Sequence, residues 1–389
     1  MGLTNWRVVL RRNIFDEVHT EFRATAREYF QRECAPNAEK WERDGKVSRE
    51  AWRAAGEHGL IGWALPEKYG GLGVTDYRFN QILAEEFFLT GSVGLGFGVA
   101  NDILVPYLND LTSEEQKQRW LPKFISGEHI GSMAMSEPAA GSDLAGIKTT
   151  AHDEGDHWVV NGQKTFISNG LLSTLVLTAV KTDPAAGHRG ISLLMIEDDM
   201  PGFTRGRKLD KIGQHAADTA ELFFDNVRVP KENLVGELNR GFYHLVSHLA
   251  TERLGVACYA VPAARRALDL TKAYALERTA FGQPIGTFQV NRHFLAEMQT
   301  KLDAAQTYLD QCVLSANDAT LTDEDAAGLK WWTSEVQWEI VDRCLQMHGG
   351  YGYINEYEVA RLWRDSRVQR LYAGTTEIMK DLMGRAMGY

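Results

Sequence analysis

A chain of 389 residues, 44% apolar and 24% charged, has the composition of a soluble globular protein and the length for two or three domains around a large core, which excludes an intrinsically disordered chain. Its net charge of −10 excludes nucleic acid as a partner, since phosphate binding calls for a basic surface field. Cys34, Cys258, Cys312 and Cys344 stand too far apart for paired metal-ligand spacing, so no structural metal and no disulfides are expected, and no apolar run approaches the ~20 residues of a membrane span.

The first dozen residues hold Arg7, Arg11 and Arg12 without an acid, a pattern that a transit peptide for the mitochondrial matrix would also show. The length points instead to a bacterial-type cytoplasmic chain. From Ile14 to Cys34 apolar residues recur at helical spacing (Phe15, Val18, Phe22, Tyr29, Phe30), and Pro36 is expected to end the run. Ser48 caps a second predicted helix through Ala55, and Pro66 to Gly73 forms a glycine-rich turn. Asn80 to Phe88 reads as helix, and Thr112-Ser-Glu-Glu115-Gln as a capping box opening a helix toward Phe124.

From Ile130 to about Leu234 the period changes to short alternating or β-branched runs, which predicts a small antiparallel β domain. It opens on Met133 to Asp143, a run of small residues and hydroxyls broken by Pro138 and expected to be a loop whose amides face an anionic or planar ligand. Next, Trp158 to Gly170 places two β-prone segments around Asn161-Gly162, a hairpin signal. After Gly241 the helical period returns in long segments, broken near Gly282 to Gly286, Thr320 and Gly349 to Gly352.

The Ser136-Glu-Pro-Ala-Ala-Gly-Ser-Asp143 and Gly162-Gln-Lys-Thr-Phe-Ile-Ser-Asn169 segments, in this order, closely resemble the two signature regions of the acyl-CoA dehydrogenase flavoproteins. The resemblance runs over nearly the whole chain and is nearest to the long-chain and isovaleryl branch. It implies an α+β fold with an N-terminal helical domain (1–128), a central antiparallel β-barrel-like domain (129–238) and a C-terminal four-helix bundle (239–389). It also implies FAD, an acyl-CoA substrate, electron-transferring flavoprotein as acceptor, and a homotetramer built as a dimer of dimers. Met133, Ser136, Gly141, Ser142, Phe166 and Ser168 would surround the flavin ring, with Phe166 where tryptophan is the commoner family residue. Arg278, Phe281, Gln289, Gln346, Gly350, Thr375 and Glu377 match positions that hold FAD, partly across a subunit contact. Ser142, Tyr243, Arg253, Ala373 and Gly374 would touch substrate.

The implied chemistry needs one carboxylate in a dry site to take the α proton of a thioester. Many family members carry it just before the Gly-Thr that is here Gly374-Thr375, but this chain has Ala373 there. The long-chain and isovaleryl branch places it on a helix as Glu-Arg-Leu, which is Glu252-Arg-Leu254 here. Leu245, Leu249 and Val256 make an apolar stripe that Glu252 borders, and burial there raises a carboxyl pKa toward that of a base. Pairing with Arg253 is the weaker account, since adjacent helix positions point apart. His244, His248 and Glu252 share a face at spacing four and offer a rival metal site, although they do not make His-Glu-x-x-His. Acyl-CoA oxidases, flavin monooxygenases and a non-catalytic acyl-CoA binder would share the architecture; Glu252 argues against the last two. The glycines between Thr90 and Gly98 are expected to leave room for a medium-to-long acyl tail, with a short branched acyl group as the alternative.

Overall fold

The computed structural model of the chain describes residues 11–389, so Arg7 lies outside the described residues. Pro36 does not end the first helical run. Helix α1 (Glu17–Tyr29) continues as a π-helical turn over Phe30–Cys34, tightens over Ala35–Asn37, and becomes α2 (Ala38–Asp44). A proline in a first turn loses an N–H that would be unpaired anyway, so Pro36 opens a new turn instead of closing the old one. Ser48 Oγ accepts from Ala51 N at 3.3 Å and starts α3 (Arg49–Glu57). Helices α4 (Arg78–Leu89), α5 (Val105–Asp110) and α6 (Glu114–Ile125) complete this part. The capping box is shifted by one residue: Ser113 and Gln116 bond reciprocally, at 3.2 and 2.8 Å, while Thr112 Oγ1 turns back to Leu108 O.

The middle of the chain forms one 8-stranded sheet from β1 (Gly131–Ala134), β2 (Thr150–Asp153), β3 (His157–Ile167), β4 (Leu175–Lys181), β5 (Ile191–Glu197), β6 (Phe203–Lys208), β7 (Ala220–Pro230) and β8 (Leu234–Val235). The order is β6-β7-β3-β2-β4-β5-β8, with β1 paired to β4. Contrary to an all-antiparallel reading, β1 runs parallel to β4, and Met133 and Ala134 belong to that buried strand and not to the loop after it. Asn161-Gly162 is not a hairpin turn either. The turn lies earlier, at Glu154 to Asp156 with Gly155 at φ 91°, between β2 and β3. Asn161-Gly162 instead forms a bulge within β3, where the register against β7 slips between Val160 and Gly162. A Cβ on Gly162 would stand 2.5 Å from Thr149 Oγ1, so the close approach of the two strands requires glycine.

The C-terminal part packs α7 (Gly241–Glu277), α8 (Gln289–Asn317), α9 (Asp323–His348), α10 (Glu358–Ser366) and α11 (Thr376–Ala386). Ala257, Val261 and Leu268 of α7 share a buried core with Leu302 and Leu309 of α8 and Leu329, Val336 and Ile340 of α9. Charged groups tie this bundle to the first helices. Arg12 bonds Asp310 of α8 at 2.7 Å and Glu85 of α4 at 2.6 Å, and Arg23 and Arg27 of α1 reach the fully buried Glu86 at 2.9 and 2.7 Å. The four cysteines are free and buried. Among the described residues no helix is long and apolar enough to cross a membrane.

Candidate active site

A cavity of ≈ 330 Å³ lies where the three parts meet, lined by α4, the segment that follows it, α7, β1 with its following loop, the end of β3 and the stretch before α11. Glu252 sits on its wall, 5% exposed. The apolar stripe of α7 carries it inward, and Oε1 accepts one bond, from the fully buried Tyr107 hydroxyl at 3.0 Å. Burial raises the Glu252 carboxyl to about 7, against the pull of the Tyr107 bond and of the charges of His248 and Arg253. A carboxylate of that pKa facing an apolar cavity is half-ionised near neutral pH, which suits a general base. Arg253 looks elsewhere, its nearest acid being Asp323 at 3.9 Å.

The rival metal site is not assembled. His248 stacks on Tyr107 with ring centres 4.3 Å apart, bonds His244 O through Nδ1 at 2.8 Å and approaches Asp110 at 3.3 Å. His244 Nε2 faces the amide of Glu237 at 3.3 Å. Among the described residues no three His, Cys, Asp or Glu side chains are grouped to hold a metal.

Across the cavity, Met133, Met135, Ser136, Phe166 and Ser168 form the second wall. A second bulge explains how Phe166 arrives there. Register with β7 is lost between Lys164 and Ile167, Thr165 N bonds Ser136 O at 2.9 Å in place of the neighbouring strand, and Phe166 is pushed out of the ladder at φ 61°. Its ring is 68% exposed, an open apolar surface beside two serine hydroxyls and two methionines. That combination of a flat apolar face with polar groups at the edge fits a planar heteroaromatic ring.

The loop is held by a pair of residues that motif reading left without a role. Lys164, buried, donates to Glu137 Oε1 at 2.8 Å and to Met135 O at 2.9 Å; Glu137 also accepts from the amides of Lys148 at 2.6 Å and Thr149 at 3.0 Å. Burial draws the Lys164 ammonium down to about 8 despite Glu137 beside it, so it stays protonated at neutral pH. Ala373, on the cavity lining, and Gly374 after it form a strap with φ of 51° and 91°. Lys330, buried on α9, donates to Gly374 O at 2.6 Å, and burial lowers its pKa to about 8. Tyr107 and Lys330 could not be found from sequence, because each bond spans a long stretch of chain and neither residue stands in a motif.

The remaining expected site residues fall into other places. Arg278, Phe281, Gln289, Gln346 and Gly350 are exposed and do not line the cavity. They gather at one corner of the bundle, where the Arg278 guanidinium lies 5.7 Å from the Tyr351 ring centre and Phe281 is 96% exposed. Gly141 and Ser142 lie on the exposed part of the loop, and Tyr243 packs against Phe242 and His188 outside the cavity. Thr375 is spent as the N-cap of α11, its hydroxyl accepting from Ile378 N, with Glu377 exposed in the first turn. The glycine-rich segment lines the cavity, and at Gly91 and Gly98 a Cβ would meet its nearest neighbour only at 3.5 and 3.4 Å, but at two of the glycines the expected space is filled. A Cβ on Gly94 would meet Ala216 at 2.6 Å and one on Gly96 would meet Asn169 at 2.6 Å, so these glycines serve close packing.

Three family models match in chain order: acyl-CoA dehydrogenase N-terminal domain over residues 16–128, middle domain over 132–227 and C-terminal domain over 239–388. The mitochondrial long-chain specific acyl-CoA dehydrogenase of Sus scrofa is 43% identical over 96% of this chain and 87% of its own. Isovaleryl-CoA dehydrogenase of Solanum tuberosum is 37% identical over 96% and 91%. The crystal structure of an acyl-CoA dehydrogenase from Geobacillus kaustophilus superimposes with a TM-score of 0.94 at 45% identity, covering 97% of this chain and 100% of that one.

Proposed function

The chain belongs to the acyl-CoA dehydrogenase family, a family of FAD-dependent oxidoreductases, and from that premise we propose that Glu252 takes the α proton of an acyl-CoA thioester while the β hydrogen leaves as hydride. The observation that carries this reading is one buried carboxyl, raised to about 7 and held by a single neutral bond, facing the Met133–Phe166–Ser168 wall across one cavity. FAD, when bound, supplies the hydride acceptor.

Met133, Ser136, Phe166 and Ser168 would hold its ring, with the loop carrying Gly141 and Ser142 closing beside it. Arg278, Phe281, Gln289, Gln346 and Gly350 would hold the dinucleotide tail, where a guanidinium suits a pyrophosphate. Thr375 and Glu377 would take the part nearest the strap. The Ala373 amide, next to the Gly374 carbonyl that Lys330 holds, would donate to a thioester carbonyl and stabilise enolate-like charge as it develops. Arg253, Gly374, Tyr243 and Ser142 remain proposed substrate contacts. Phe87, Phe88, Leu95, Val99, Ile103 and Val256 line the cavity and support a medium-to-long acyl chain passing on to trans-2-enoyl-CoA. Electrons would go on to electron-transferring flavoprotein.

The test is Glu252→Gln. It should fold, remain yellow with FAD and bind acyl-CoA, yet reduce flavin ~10²–10⁴-fold more slowly or worse. Near-parent flavin reduction in anaerobic stopped flow would remove Glu252 from the reaction. The exposed corner around Phe281 and Tyr353, 96% and 88% exposed, is consistent with a homotetramer in which a second chain completes the FAD site. Light scattering should give four chains, and a monomer with full FAD occupancy would refute this.

A further inference from the structure

Asp102 lines the same cavity and has no place in the reaction above. It lies on a π-helical stretch, Gly98–Leu104, that leads into α5, and is 5% exposed. Both of its bonds go to one oxygen. Tyr77 Oη and Asn80 Nδ2 donate to Oδ1 at 2.9 and 2.6 Å. Oδ2 accepts nothing from the described residues and lies over two glycines of the cavity lining, 3.4 Å from where a Gly98 Cβ would stand and 3.1 Å from one on Gly255.

Among the described residues no cation pairs with this carboxyl. Nearby Glu85, Glu86 and Asp310 are each bonded by arginine, whereas Asp102 has only a phenol and an amide. Burial accordingly raises its pKa to about 6. A buried carboxyl with a spare acceptor, set in a wall where an alkyl chain would be served better by leucine, is unfavourable unless something in the cavity uses it.

Its position says what. Gly255 is one helical turn beyond Glu252 on α7, a rise of about 4.5 Å. An acyl chain that presents its α carbon to Glu252 and follows this wall passes Oδ2 a few carbons farther on. We propose that Asp102 determines specificity and that the acyl group carries a hydrogen-bond donor, a hydroxyl on the chain beyond the β carbon, which donates to Oδ2. This rests on reading the cavity as the acyl-CoA site.

The experiment compares acyl-CoAs of one length bearing hydrogen, a hydroxyl or a methyl ether, the substituent being moved carbon by carbon outward from the γ position. Calorimetry on redox-inert thioether analogues gives affinity, and anaerobic flavin reduction of the holoenzyme gives kcat/KM. A hydroxyl at the matching carbon should improve both ~10-fold or more over the unsubstituted chain, and the ether, which cannot donate, should be worse than either. In Asp102→Asn, the two fixed donors keep the amide oxygen facing Tyr77 and Asn80, which turns the amide NH₂ toward the cavity. The variant should then bind the ether better than the parent does and lose most of the preference for the hydroxyl over the ether, since both oxygens can accept from the amide NH₂. A parent that handles all three chains alike, or a hydroxyl-over-ether preference unchanged in Asp102→Asn, overturns the proposal while leaving the dehydrogenase reading intact. Flavin reduced by none of the chains would remove both.

Discussion

Replacing Tyr107 with phenylalanine deletes one oxygen and isolates what sets the basicity of Glu252. The hydroxyl donates to Glu252 at 3.0 Å, and a hydrogen bond to an ionised group is worth ~1.5–3 kcal/mol, which at ~1.36 kcal/mol per pKa unit is a rise of about 1–2 units. Glu252 is 5% exposed, so solvent screening removes little of this, although a water entering the gap would trim it. Starting from about 7, the ionised fraction at pH 7 falls from about half to roughly 1–10%, and kcat/KM for flavin reduction should fall ~5- to 50-fold there. Above pH ~9 it should approach the parent value, because the carboxylate is then ionised in both proteins. Stability carries the same signature. The folded pKa lies above the ordinary 4.5, so this group stabilises the fold most below about 4.5 and loses that contribution as pH rises through about 7. In Tyr107→Phe the loss should extend to higher pH. Anaerobic stopped flow across pH, with melting curves on the same samples, measures both. An inflection that stays put or moves down would show that the phenol does not hold the base.

Two further variants test the supports of the site. Glu137→Leu strands the Lys164 ammonium and frees the amides of Lys148 and Thr149, so calorimetry should show ~3–5 kcal/mol of lost stability and equilibrium dialysis weaker FAD binding. Parent-like melting with full FAD would refute the clamp. Lys330→Met releases the Gly374 carbonyl, so FAD should remain while flavin reduction slows. Because burial lowers Lys330 to about 8 from 10.5, the parent should gain stability from this group as pH rises through that window, and the methionine variant should lose that slope in melting curves.

The three-part order and the burial of Glu252 were legible because their signals are local. A change of hydrophobic period marks the β domain, and a carboxylate bordering an apolar stripe marks Glu252. Asn161-Gly162 misled for a physical reason: the same left-handed freedom that permits a tight turn also permits a bulge, and only the partner strand β7 decides between them. Phe166 was found by motif, yet its displacement from the ladder depends on Ser136 capturing the Thr165 amide, a contact made in three dimensions. Tyr107, Lys330 and Asp102 left no local mark. Each is an ordinary residue in a helical stretch until a partner far along the chain closes on it. Gly94 and Gly96 show the converse, since absent side chains leave space only where no neighbour fills it.

The bond from Arg12 to Asp310 spans 298 residues, which gives it a place in time as well as in space. A ribosome adding ~5–20 residues per second delivers Asp310 about 15–60 s after Arg12. During that interval the first helices can already satisfy Glu86 through Arg23 and Arg27, but Arg12 still lacks its second acid. The N-terminal segment therefore waits for α8 before it can be fastened, and a nascent chain halted before α8 emerges should be cut by protease near Arg12 when the finished protein is not.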